Sequence, residues 1–109
     1  MARASEIELV KRTGKRVKTG VLDVRVAASP SSRAQVGVIV PKYKRSIVER
    51  NRLRRRLREL ARVQLLPVLD ATTVARGARA VLIRALPVAY SASFDGLARE
   101  IDAVVARIE

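Results

Sequence analysis

Leu53, Leu57 and Leu60 recur at helical spacing inside a segment otherwise dominated by arginine: residues 47–62 read IVERNRLRRRLRELAR. At about 100° per residue the three leucines make one narrow apolar stripe, with Ala61 at its edge. Every other face carries guanidinium. Such a helix has one stripe to lay on an apolar surface, and the rest of its circumference belongs to water or to anions. Asn51, Arg54 and Arg58 share the next stripe at i, i+3 and i+7, Arg55 and Arg62 carry that surface outward, and Arg52 and Arg56 lie further round.

The helix has a clear start. Ser46-Ile47-Val48-Glu49 fits a capping box, in which the serine hydroxyl accepts from the backbone at Glu49 and the carboxylate reaches back. The pattern predicts a helix from residue 47 to about 66, ended or kinked at Pro67, which lacks the helical N–H donor. Residues 72–77 read as a loop.

The surface that takes the leucines is predicted to be a sheet. Residues 21–28 (VLDVRVAA) alternate, with Leu22, Val24 and Val26 on one face and Asp23 and Arg25 on the other. Residues 35–40 (QVGVIV) form a second strand. The short Ser29-Pro30-Ser31-Ser32 connection suggests that these two pair antiparallel. Residues 80–86 (AVLIRAL) make a third strand, stopped by Pro87, and an extra short strand fits near residues 16–18. A helix over residues 4–13 precedes them, ending at Gly14. Ser93 caps a last helix with Phe94, Leu97, Ile101, Val104, Val105 and Ile108 on one face. The expected fold class is α+β: a two-layer sandwich of order α-β-β-α-β-α, with a mixed sheet of about four strands. Its 109 residues fit a single domain.

Charge locates the function. The net charge is +13, and residues 1–62 hold 18 basic against 5 acidic side chains, whereas residues 63–109 hold five of each. Between Lys42 and Arg62, ten basic residues face only Glu49 and Glu59. A charge spread for solubility would be even; this one marks a polyanion footprint. Arginine also binds phosphate through a planar fork that lysine lacks. Lys42, Lys44 and Arg45 precede the helix, where phosphate could meet its free N–H groups. Lys11, Arg12, Lys15, Arg16 and Lys18 make a third basic group. Arg25, on the polar strand face, is expected to line a groove with Asn51, Arg54 and Arg58. Of the three aromatics, Tyr43 alone is placed to stack on a base, and Phe94 is expected in the core.

Other chemistries lack their residues. With no histidine and no cysteine, the commonest general base, the thiol nucleophile and Cys/His zinc sites are absent. No glycine-rich phosphate loop occurs. No apolar run reaches membrane-span length and no signal pattern opens the chain, so a cytoplasmic location without membrane association is expected. A structural RNA-binding protein and a DNA-binding helix remain as alternatives on composition; the latter calls for a helix-turn-helix partner that the sequence does not offer.

The string Arg50-Asn51-Arg52-Leu53-Arg54-Arg55, followed by Arg58-Glu59, resembles the signature of the bacterial ribonuclease P protein. Gly14 after the first helix, the VGVIVPK strand, the AVLIRALPVA strand-turn and the closing helix fall in family order. The resemblance implies an α/β sandwich with a left-handed βαβ crossover, against the usual handedness. It implies an accessory subunit of the tRNA 5′-maturation endonuclease, monomeric and one per RNA. The subunit would bind the catalytic RNA and the leader of precursor tRNA while the RNA, with Mg²⁺, performs the cleavage. On this resemblance Arg50, Arg52, Arg55 and Arg56 would hold RNA. Asn51, Arg54 and Arg58 would edge the leader groove, joined by Arg25 and Lys11. The sequence departs from the family where Ile7, Lys11 and Arg25 replace aromatics and where Arg45-Ser46 replaces Gly-Asn.

Overall fold

The computed structural model describes residues 15–29 and 32–108. The expected helix over residues 4–13, with Ile7 and Lys11, lies outside these residues. Four strands form one mixed sheet: β1 (Lys15–Lys18), β2 (Leu22–Ala28), β3 (Gln35–Ile39) and β4 (Arg79–Ala85), in the order β1-β2-β4-β3. β2 runs antiparallel to β1 and β4, and β3 runs parallel to β4.

The expected β2–β3 hairpin is therefore not formed: β4 lies between them. The reason is burial. Ala80, Val81, Leu82 and Ile83 are all buried, so β4 is apolar on both faces and takes a central position. β3, mostly half-buried, is left at the edge.

Helix α1 (Ile47–Leu60) follows β3. Its capping box forms as the sequence dictates: Glu49 N–H donates to Ser46 Oγ at 3.1 Å, and Ser46 N–H donates to the Glu49 carboxylate at 3.3 Å. Leu53, Leu57 and Leu60 are its buried residues.

The chain does not stop at Pro67. A π-type turn, Ala61–Leu65, leads into α2 (Leu66–Ala71), and a short α3 (Thr73–Arg76) occupies the segment expected to be loop. Leu66 N–H donates to Ala61 O, five residues back. Pro67 has no N–H to offer the preceding turn, and the wider turn absorbs that loss. It also resets the helical phase by one residue. A regular helix would bring residue 64 under the leucine stripe; here Leu65 and Leu69 are fully buried instead, and the Gln64 amide reaches Asp102.

After β4, Pro87–Ser91 forms a 3₁₀ turn, and α4 (Phe94–Ile108) closes the fold. Leu97, Ile101, Val104 and Ile108 of α4 join the α1 leucines, Leu65, Leu69, Leu22, Val24, Val81 and Ile83 in one core on one face of the sheet. Phe94, expected in that core, is 43% exposed; it heads the helix before the buried stripe begins. Arg79 donates to Ile108 O at 2.8 Å and Thr72 Oγ1 at 2.7 Å, and Arg107 donates to Lys18 O at 3.0 Å. These late arginines tie the end of α4 to the sheet.

Candidate nucleic-acid interface

The arginine helix has two outward flanks. On one, Asn51, Arg54, Arg55, Arg58, Glu59 and Arg62 line a shallow hollow of about 390 Å³. On the other, Arg52 and Arg56 join Glu49, Leu53, Ala89 and Tyr90 around a small depression against the 3₁₀ turn. The leucine stripe separates the flanks from within, so the helix offers cations on both sides of its anchored edge.

Three expected RNA-binding arginines are engaged inside the protein. Arg50 is half-buried and donates from Nε to Val40 O at 2.7 Å. Arg45 donates to Glu49 at 3.2 Å, and Arg62 donates through two nitrogens to Glu59. The Arg62 hydrogen bond holds the Glu59 carboxyl below its ordinary value, and the Glu59 carboxylate in turn raises Arg62. Lys42, Lys44, Arg52, Arg54, Arg55, Arg56 and Arg58 form no ion pair among the described residues. Among the described residues, the acids paired with cations of this segment are Glu49 and Glu59.

The capping box occupies two backbone N–H groups at the helix N-terminus, those of Ser46 and Glu49, and sets a carboxylate there. The Glu49 carboxylate already sits on the Ser46 N–H, and that backbone hydrogen bond is the main reason its pKa lies below the ordinary value.

The sheet presents a second basic surface on the face away from the core. Arg16 stands opposite Arg25, Arg25 opposite Leu82, and Leu82 opposite Gly37. In the next row Lys18 faces Asp23, Asp23 faces Arg84, and Arg84 faces Ile39. Asp23, Arg25, Ile39, Leu82 and Arg84 line a cleft of about 150 Å³, with an apolar floor and a cationic rim. Asp23 is gripped by Arg16 through a two-bond fork of 3.0 and 3.1 Å.

Among the described residues, the cleft that holds Arg25 shares no lining residue with the Asn51–Arg54–Arg58 hollow. Leu22 and Val24 point to the helices, and Arg25 alternates away from them to the outer face. Lys11 lies outside the described residues. The sequence reading missed Arg84. Its signal was parity: it is the one charge in the AVLIRAL strand, next to buried Ile83. Tyr43 is half-buried and tied to the fold. Its ring packs edge-on against Tyr90, centroids 6.4 Å apart, and its hydroxyl donates to Ala85 O.

Among the described residues no helix is long and apolar enough to cross a membrane. The family model described as "Ribonuclease P" matches residues 1–109. The ribonuclease P protein component of Acidothermus cellulolyticus is 36% identical over 110 residues, covering 99% of this chain and 86% of the relative. The Thermotoga maritima RNase P protein superposes with a TM-score of 0.81 at 16% identity, over 100% of this chain and 99% of that one. The Staphylococcus aureus RNase P protein does so with 0.78 at 14% identity, over 100% and 94%. A mixed four-stranded sheet backing an Arg-Asn-Arg helix, in a chain matched from end to end, places this protein in the ribonuclease P protein family, the protein component of the tRNA-processing nuclease.

Proposed function

We propose that this chain binds the catalytic ribonuclease P RNA along α1 and takes the 5′ leader of precursor tRNA across the outer sheet face, as a monomer serving one RNA in the cytoplasm. The observation that carries the reading is the row of cations on α1 and the turn before it with no ion pair among the described residues. A helix in water gains nothing from that array; beside an RNA backbone each cation can release a condensed counterion.

The sheet-face cleft suits a single strand. Arg25 and Arg84 can clamp a backbone or lie flat on a base, and Ile39 and Leu82 supply an apolar floor. Among the described residues no aromatic lines this cleft, so grip on the leader rests on charge and aliphatic contact. The Asn51–Arg54–Arg58 hollow, on the helix, is assigned to RNA phosphates.

No group of three Asp or Glu side chains among the described residues converges as a metal site. In this reading Mg²⁺ sits on phosphates of the RNA and substrate, and the chain contributes binding and orientation. Leader removal by a ribonuclease P RNA, measured at low Mg²⁺ with and without the protein, tests the proposal. Stimulated cleavage is expected; an unchanged rate refutes it.

A further inference from the structure

The turn that leads into the arginine helix is built from the wrong residues for its shape. Tyr43 has φ 47° and Lys44 has φ 64°. Arg45 N–H closes the turn on Lys42 O at 2.8 Å. Two successive positive φ values inside such a hydrogen bond define a type I′ turn, for which Asn-Gly is the favoured pair. Side chains with a Cβ are strained there.

The surroundings explain Tyr43. Its hydroxyl donates to Ala85 O at 3.2 Å, at the end of β4. Its ring meets Tyr90 edge-on, and the Tyr90 hydroxyl donates to Pro41 O at 2.7 Å. Arg45 lies 5.3 Å from the Tyr90 ring centroid while paired with Glu49. The two tyrosines therefore clamp the turn at both ends, from β4 and from the 3₁₀ turn.

Nothing among the described residues explains Lys44. It is exposed, forms no ion pair among the described residues, and occupies a position where glycine is unstrained. The capping box takes two N–H groups at the helix end beside it and sets the Glu49 carboxylate there, a charge that opposes a phosphate unless a nearby cation offsets it. We infer that Lys44 is an RNA phosphate contact retained at a cost in stability, and that Tyr43 and Tyr90 are positioning residues that hold it against the RNA through the clamped turn. The inference rests on the reading that this chain binds ribonuclease P RNA.

The test uses the full-length protein and a ribonuclease P RNA transcript, with affinity measured across a salt series and Tm measured alongside. For Lys44→Gly the two readouts move in opposite directions. Tm rises as strain is released. The slope of log K against log salt becomes shallower by about 0.7–0.9, roughly a 5–8-fold weaker binding at 0.1 M salt. Tyr90→Phe, which keeps the ring and removes the bond to Pro41, weakens binding in the natural sequence and has no further effect on affinity in the Lys44→Gly background. Unchanged affinity for Lys44→Gly, a lowered Tm, or additive losses in the double variant each overturn the inference. Failure of the unaltered protein to bind the RNA defeats instead the functional reading beneath it.

Discussion

Arg50, the first residue of the Arg-Asn-Arg string, donates its Nε–H to the carbonyl of Val40 at the end of the β3 segment, 2.7 Å away. That bond fastens the first turn of α1 to the sheet, so one of the helix's cations is structural. Arg50→Met keeps the aliphatic stem and loses the donor. A hydrogen bond with a charged partner contributes roughly 1.5–3 kcal/mol, so Tm falls by several degrees. Arg52→Met, at an exposed position, shifts stability by no more than about 0.5 kcal/mol and weakens RNA binding instead. Thermal melts of the two variants side by side decide the point; matching Tm values would contradict the structural role.

The outer sheet face makes a separate prediction. Replacing both Arg25 and Arg84 with alanine removes two cations from the rim of the Asp23–Leu82 cleft. Affinity for leader-bearing precursor tRNA drops, affinity for mature tRNA holds, and the salt slope for the precursor falls by about one per lost phosphate contact. Arg54→Ala with Arg58→Ala, on the helix hollow, weakens both substrates' complexes alike. If the helix pair proved selective for the leader and the sheet pair did not, the assignment of the two surfaces would be reversed.

How far this division could be read in advance differs residue by residue. The leucine stripe and the Ser46–Glu49 box were legible because both are local: their geometry follows from helical spacing alone. The strand order was not, because it depends on competition among three strands for the centre. The double-faced burial of β4 decides that only once the helices cover one side. The π-type turn escaped for a related reason. Pro67 signals a break, but whether the chain stops or widens by one residue is settled by Leu65 and Leu69 reaching the core. The separation of Arg25 from Arg54 could have been deduced. If Leu22, Val24 and the α1 leucines share a core, strand alternation must turn Arg25 to the opposite face. The Tyr43–Lys44 turn carried no sign at all, since neither residue favours positive φ.

Binding to the RNA as a whole should be steeply salt-dependent. With about 6–10 phosphate contacts, duplex-like association weakens roughly 10³–10⁵-fold between 50 and 200 mM salt. The candidates are the cations of the α1 segment without an ion pair among the described residues. A filter-binding or fluorescence titration over that range checks it. A flat response would mean that the charges on α1 stay solvated in the complex.

Acid should loosen the start of the arginine helix before the rest of the core. The Glu49 carboxyl is held below 4.5, chiefly by the hydrogen bond from the Ser46 backbone, with the Ser46 hydroxyl and Arg45 adding to it. A carboxyl whose folded value is depressed contributes stability that is fully present above its unfolded value and is lost as pH falls through the folded one. Glu59 behaves likewise, held down by Arg62. These two are the only acids between Lys42 and Arg62, so protonating them breaks the cap and removes the ion pairs that Arg45 and Arg62 form among the described residues. Tm should therefore be level near neutrality and fall below about pH 4.5. Glu49→Gln retains an amide able to reach the Ser46 N–H and cannot titrate, so it starts slightly less stable and declines less steeply with acid. Melting curves for both proteins from pH 7 to pH 3 give the comparison. Parallel acid slopes would show that the capping carboxylate takes no part in the loss.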